Sequence, residues 1–307
     1  MRWKQVRISS DRDIQPDTLA HSSYALIEQF LAAKSGREED CEDAIYAGPN
    51  FVAVIDGATS KSERRWDGKT GGRIAAEIIK EAFEHVPADA TARKTVDILT
   101  AAIHALYVQH DAVDLMSTWP VQRAVASFVA INLARRELWF VGDCQCLLDH
   151  ELLTNTKRID DITADARSLF LETELLQGKT IEELRQHDSG RAFILPLLER
   201  QTLLQNTPAA GPYWFPVIDG YPVPDTGIRV QSLPEHMESV VLASDGYPYL
   251  KNSLEASEQA LQEVIAEDPL LFRSYKSTKG LSEGNISYDD RAYIRIKMPA
   301  RSEETDE

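Results

Sequence analysis

Apolar and polar positions along this chain fall into two rhythms, short continuous runs that predict buried strands and three-to-four spacing that predicts helices. Phe51-Val-Ala-Val-Ile is an unbroken apolar run, mostly β-branched or aromatic, that ends in Asp56-Gly57. It predicts a buried strand running into a turn. Ser239-Val-Val-Leu-Ala-Ser repeats the pattern and ends in Asp245-Gly246. Between them, Val125–Leu133, Glu137–Val141 and Cys144–Leu148 read as strands joined by Ala134-Arg135-Arg136 and by Gly142-Asp143, the pattern of an antiparallel meander. A last strand, Ala292–Lys297, follows Asp289-Asp290.

Helices separate these runs. Gly72–Val86 sets Ile74, Ala75, Ile78, Ile79, Ala82 and Phe83 on one face, and Thr95–Val113 continues likewise through Val96, Leu99, Ile103, Leu106 and Tyr107. The two predict cover for one face of a sheet. Asp160–Asn206 is again helical in pattern, and Thr207–Pro224, rich in Pro, Gly and aromatics, reads as a loop at an insertion boundary. Ala256–Ile265 and Pro269–Tyr275 are shorter helical candidates. Strands grouped together with paired helices predict stacked sheets covered by helices, not alternating β-α-β units.

The length of 307 residues exceeds the usual single-domain range of roughly 100 to 200, so the pattern alone allows one enlarged domain or two. Lys and Arg number 33 against 49 Asp and Glu, and the formal charge of −16 argues against a general affinity for nucleic acid or anionic membranes. An anionic ligand must therefore be met by a local cluster of cations. Within Met298–Glu307, read as a frayed and solvated terminus, the last seven residues hold one base and four acids, so most of the acid belongs to the folded body. The start, MRWKQVRISSDRD, is basic without a following apolar stretch, and no run approaches the roughly 18 apolar residues of a membrane span. These features predict a cytoplasmic protein. Cys41, Cys144 and Cys146 make no disulfide framework, and Cys144-x-Cys146 reads as small apolar packing in preference to a soft-metal site. The seven histidines show no metal-ligand spacing, and no Gly-x-Ser-x-Gly elbow occurs.

A buried strand that ends in a carboxylate is costly unless the charge is hydrogen-bonded, paired or bound to a cation. The chain does this repeatedly, at Glu42-Asp43, Asp56, Asp143, Asp245 and Asp289-Asp290. One Asp-Gly alone reads equally as hairpin punctuation. As a set of hard oxygen donors the carboxylates fit Mg2+ or Mn2+. Two such ions roughly 3.5 to 4 Å apart activate water and offset phosphoryl charge.

In order along the chain, Glu42-Asp43, Phe-Val-Ala-Val-Ile-Asp56-Gly57, Gly71-Gly72 opening a helix, Trp-Phe-Val-Gly142-Asp143, Leu-Ala-Ser-Asp245-Gly246 and Ser-Tyr-Asp289-Asp290 before a strand resemble the metal-dependent serine/threonine phosphatases of the PP2C (PPM) family, over about residues 24–297. The resemblance implies an α+β fold, a four-layer α-β-β-α sandwich of two antiparallel sheets flanked by helices. It also implies one phosphatase domain over 1–297 with a helical and loop insertion at about 150–225, followed by the acidic tail 298–307.

It further implies hydrolysis of phosphoserine and phosphothreonine in a phosphoprotein substrate, with no nucleic-acid or membrane partner. By position, Asp56 would bridge two ions with the Gly57 carbonyl on one of them. Asp245 and Asp289 would hold the other. Glu42 or Asp43 would contact the second ion, and Asp43 also suits orienting the water. Asp290 stands where the family usually has Asn, either as a ligand or as a helper that hydrogen-bonds backbone. Asp143 matches the Gly-Asp that helps hold a third ion, but its usual partner carboxylate falls at Tyr249, which makes a stable third ion doubtful.

Other positions depart from the family pattern. Ala58 stands where eukaryotic relatives often place a His proposed to protonate the leaving group. The phosphate-gripping Arg aligns with Glu38, leaving Arg37 displaced by one residue. The loop ATSKSERRWDGKT brings Lys61, Arg64 and Arg65 beside Gly71-Gly72, and it is expected to clamp the phosphate, bidentate guanidinium being suited to a phosphoryl group. The alternatives are a phosphatase-like regulatory or binding module without turnover, and a small-molecule phosphatase.

Overall fold

A computed structural model describes residues 24–234, 237 and 239–298. The basic start MRWKQVRISSDRD and the acidic end 301–307 lie outside the described residues. In chain order the elements begin with β1 (Ala25–Ala32), β2 (Asp43–Ala47), β3 (Phe51–Gly57), α1 (Gly71–Phe83), α2 (Ala92–Gln109) and α3 (Val113–Thr118). The meander follows as β4 (Ala126–Asn132), β5 (Glu137–Val141), β6 (Gln145–Leu148) and β7 (Glu151–Leu153). Three helices come next, α4 (Arg158–Leu176), α5 (Ile181–Gln186) and α6 (Ser189–Arg200). The chain closes with β8 (Arg229–Ser232), β9 (Ser239–Ala243), α7 (Leu254–Glu267) and β10 (Arg291–Lys297).

The strands form two five-stranded antiparallel sheets, ordered β1-β10-β9-β6-β7 and β2-β3-β4-β5-β8. Side chains alternate across a strand, and on β3 both faces are covered. Val52 and Val54 join the layer between the sheets with Val129, Ile131, Phe140, Val240, Leu242 and Ile294. Phe51, Ala53 and Ile55 point the other way, into the core shared with Ile79, Phe83, Leu99 and Ile103 of α1 and α2. Burial on both sides is why this strand reads as an unbroken apolar run. The outer face of the other sheet packs Val241, Ala243 and Tyr293 against Tyr247, Leu250 and the Leu254 of α7. Helix, sheet, sheet and helix layers result, as the resemblance implies.

Both covering helices start at a threonine that caps them: Thr70 accepts from the Arg73 N–H and Thr91 from the Lys94 N–H. The expected helix over Thr95–Val113 is instead broken near Asp111, whose φ of 49° ends α2 before α3 begins. Pro269–Tyr275 is not a helix. There the Asp268 carboxylate accepts from the N–H groups of Phe272, Arg273 and Ser274, a competing local pattern that draws these residues into a loop. Met298, expected in the frayed terminus, is buried between the sheets. The sequence reading also missed β1, β2, β7 and β8. They are short or edge strands, and β1 leaves Leu26, Ile27 and Leu31 exposed, so no clean alternation marks it.

The region from α4 to α6 is tied to the loop before β10 by Arg167, whose side chain is fully buried. Its guanidinium pairs with Asp188 at 2.7 Å and donates to the carbonyls of Leu270, Leu271 and Ser277. Leu171 and Leu184 pack on Leu270 and Phe272 beside it. This junction sets α6 and the loop 275–279 on the same rim. Cys41, Cys144 and Cys146 are free and buried, the latter two in the layer between the sheets. Among the described residues no helix is long and apolar enough to cross a membrane.

Candidate active site

The antiparallel register brings distant carboxylates to one edge of the sandwich. Asp43 on β2 lies opposite Asp56 on β3, and Asp56 lies opposite Ser127 on β4. Ser127 Oγ donates to Asp143 Oδ1 at 2.7 Å, which extends the row to the loop after β5. From the second sheet come Asp245, just past β9, and Asp289-Asp290, just before β10. Because β9 and β10 pair antiparallel, the end of one meets the start of the other: Ser244 N–H donates to the Ala292 carbonyl and Ala292 N–H to Ser244 Oγ. The two Asp-Gly steps are close approaches of backbone. A Cβ at Gly57 would stand 2.3 Å from the carbonyl oxygens of Glu42 and Gly72, and one at Gly246 would stand 2.0 Å from that of Asp290. Only glycine fits there.

These carboxylates crowd one another away from water. Burial, and then repulsion from Asp290, raises Asp43 well above the ordinary carboxylate range. Burial and then the charge of Asp245 do the same to Asp56. Asp245 is pushed up to about 7 by burial and by Asp289 and Asp143. Asp143 and Asp289 go the other way. Burial would raise each, but Lys157 on Asp143 and Lys279 and Lys34 on Asp289 hold both below the usual range.

Three lysines that the sequence reading did not single out thus enter the acid cluster. Lys34, after β1, reaches Asp290 at 3.1 Å, Glu42 at 3.4 Å and Asp289 at 3.8 Å. Lys157, at the N-cap of α4, pairs with Asp143, and Lys279 pairs with Asp289. Glu42 is further held by Thr70 Oγ1 at 2.6 Å, so the residue that caps α1 also fixes this carboxylate. Asp290 accepts from the N–H groups of Lys34 and Glu42 at 2.7 and 3.1 Å. Tyr249, which stands where a carboxylate would support a third ion, is half-exposed and sets its ring against Tyr275. The cation on Asp143 is the ammonium of Lys157.

The acids line a cleft of about 230 Å³ that they share with basic side chains. Lys61, Lys157, Lys279, Lys276 and Arg191 line it together with Asp56, Asp143, Asp160, Asp245 and Asp289. Of the four cations expected to hold phosphate, the fold brings only Lys61 here. Arg64 lies over the Trp66 ring, 4.2 Å from its centroid. Arg65 is exposed outside the cleft, and Arg37 is an exposed partner of Asp40. Trp66 is fully buried against Tyr107, and the packing of this indole turns the loop arginines away. Glu38 sits in an exposed 3-10 turn.

The donor set suits a divalent ion in chemistry. Glu42, Asp43, Asp56, Asp143, Asp245, Asp289 and Asp290 are hard oxygen donors, and Lys34, Lys157 and Lys279 engage Glu42, Asp143, Asp289 and Asp290 among them. Asp43 Oδ2 is buried with no hydrogen-bond partner, a costly state that a cation or its water would relieve. Among the described residues no group of three or more His, Cys, Asp or Glu side chains stands ready to hold an ion. Like charges push these side chains apart, and the lysines draw the outer ones aside. The residues fit a divalent ion in kind, and holding one would need side-chain movement.

A sequence model of the family described as protein phosphatase 2C matches residues 33–281, and the chain belongs to that family. No curated protein matches the chain. Among solved structures, that of the Mycobacterium tuberculosis serine/threonine phosphatase PstP is 18% identical, with 89% of this chain and 99% of that chain covered at a TM-score of 0.44. The serine/threonine phosphatase Stp1 of Staphylococcus aureus is 14% identical, with 89% and 94% covered at a TM-score of 0.46. PppA of Pseudomonas aeruginosa is 14% identical, with 91% and 99% covered at a TM-score of 0.43.

Proposed function

We propose that this chain is a metal-dependent phosphomonoester hydrolase acting on phosphoserine and phosphothreonine in proteins, one catalytic unit carrying the insertion at about 150–225. The observation that carries the reading is the cleft itself. Carboxylates from five separate places in the chain line it together with five cations, and among the described residues two of these, Lys61 and Arg191, have no carboxylate partner. A purely structural acid cluster has no need of unpaired cations beside it.

Asp56, the Gly57 carbonyl, Asp245 and Asp289, with Glu42 or Asp43, would hold two ions of Mg2+ or Mn2+. When bound, the pair supplies a nucleophilic water at neutral pH and offsets the charge of the phosphoryl oxygens. The chain's own groups do the rest. Asp43 offers an unpartnered oxygen that orients the attacking water by accepting its hydrogen bond. Thr70 and Lys34 hold the Glu42 carboxylate in place. Lys61 meets the phosphoryl group in the cleft. Ala58 offers no acid beside Asp56-Gly57, so the leaving oxygen takes its proton from water in the cleft. Asp143, engaged by Lys157 and Ser127, acts by keeping that ammonium on the rim.

The test is hydrolysis of p-nitrophenyl phosphate with Mn2+ present. Activity that Asp56→Asn or Asp245→Asn abolishes supports the reading, and a wild-type chain that binds phosphate without turnover marks a binding module. A phosphopeptide panel run against small phosphorylated metabolites then decides between a protein phosphatase and a small-molecule one.

A further inference from the structure

The helical insertion places in the cleft a cation that none of the strand ends supplies. Arg191, near the start of α6, donates to the Thr278 carbonyl at 2.7 Å and to Thr278 Oγ1 at 3.4 Å. Lys61, on the loop after β3, donates to the Thr59 carbonyl at 2.6 Å. Every one of these acceptors is neutral. Among the described residues neither cation is ion-paired with a carboxylate, whereas the neighbouring Lys157 and Lys279 each are. Burial, then the charges of Arg191, Lys279 and Lys157, push the Lys61 ammonium down to about 8. Burial also lowers Arg191, against the pull of Asp289 and Asp188.

Two cations that share one cleft, repel each other and rest on neutral oxygens lack a counter-charge. Asp56, Asp143, Asp245 and Asp289 line the same cleft. An anion entering the cleft therefore meets a guanidinium and an ammonium that have no counter-charge of their own, donors suited to a phosphoryl group. The positions that the sequence offered for this task are elsewhere: Arg64 is stacked on Trp66 and Arg37 is paired with Asp40.

We propose that Arg191, acting with Lys61, grips the phosphoryl group, so that the insertion completes the substrate site. The inference rests on the phosphatase reading for its substrate, but not for its anion. It also gives the Arg167 junction a task. By tying α4, Asp188 at the N-cap of α6 and the loop around Ser277 together, that junction sets Arg191 and Thr278 over the cleft.

The experiment uses the full chain, Mn2+ and inorganic phosphate as probe. Calorimetric phosphate binding is measured beside p-nitrophenyl phosphate kinetics for wild type, Arg191→Gln, Arg191→Lys and Lys61→Gln. Arg191→Gln is expected to raise KM and the phosphate Kd about tenfold or more, as for a lost charge-assisted hydrogen bond, with a smaller fall in kcat. Arg191→Lys should recover part of both. Lys61→Gln, on a loop outside the insertion, should weaken phosphate binding in the same direction and keeps the test open if Arg191→Gln does not fold. Unchanged KM and Kd, within twofold, for Arg191→Gln and Lys61→Gln would overturn the grip and leave the phosphatase reading standing. A wild type that hydrolyses no phosphomonoester removes that reading, and the phosphate Kd series still decides the grip by itself.

Discussion

Asp43 and Asp56 face each other across adjacent antiparallel strands, two carboxylates in register at one buried edge. Like charges directly opposite destabilise a sheet. The pairing therefore has a direct consequence for stability: neutralising either member in the metal-free protein should relieve repulsion. Asp56→Asn is expected to raise the thermal midpoint in EDTA by a few degrees while abolishing hydrolysis. A midpoint that falls instead would mean that Asp56 has a structural role that outweighs its repulsion.

The raised Asp245 predicts a pH dependence of definite sign. Between the ordinary carboxylate range and about 7 the folded chain keeps a proton on Asp245 that the unfolded chain has released. Stability then falls as pH rises through that window, Asp245 alone contributing at most about 1.4 kcal/mol per pH unit and the raised Asp43 and Asp56 adding in the same direction. Asp143 and Asp289 are lowered, so their contribution is lost only as pH falls below the usual carboxylate range. Melting in EDTA from pH 4.5 to 7.5 checks this. Mn2+ binding to the folded form should flatten the slope, and a flat profile in EDTA would refute the assignment.

Lys157 and Asp143 form a largely buried pair, so removing one partner strands the other. Lys157→Met should cost about 3 kcal/mol or more in urea unfolding, and the double variant with Asp143→Asn should recover much of it. Equal losses in the single and double variants would show that packing, not charge, dominates.

Thr70 has two tasks, accepting from the Arg73 N–H and donating to Glu42. Thr70→Val is expected to cost about 1 to 2 kcal/mol, and Thr70→Ser to restore most of it. Chemical denaturation of the three proteins makes the comparison.

The stacking of Arg64 on Trp66 and the exposure of Arg65 predict that alanine at either leaves kcat/KM for p-nitrophenyl phosphate within about twofold. A tenfold fall for Arg64→Ala would show that the loop swings into the cleft when substrate binds.

Much of the fold was legible because two-sided burial writes itself into a strand. Phe51–Ile55 and Val240–Ala243 are apolar throughout since one face meets the other sheet and one meets helices. The edge strands β1 and β8 were hidden for the opposite reason, as an exposed face removes the signal. The carboxylates Asp56, Asp245 and Asp289 could be singled out because a charge that ends a buried strand is expensive and so rarely idle.

The sequence by itself determined the inner strands of the sandwich and which acids stand at their ends, because hydrophobic period and strand-end charge are local properties. Only the tertiary structure decided which cations answer those acids. Lys34, Lys157, Lys279 and Arg191 carry no local mark, and they come from a strand end, a helix N-cap, a loop and an insertion far apart in the chain. Long flexible side chains go where the assembled field draws them. That field exists only once the two sheets have brought their carboxylates to one edge.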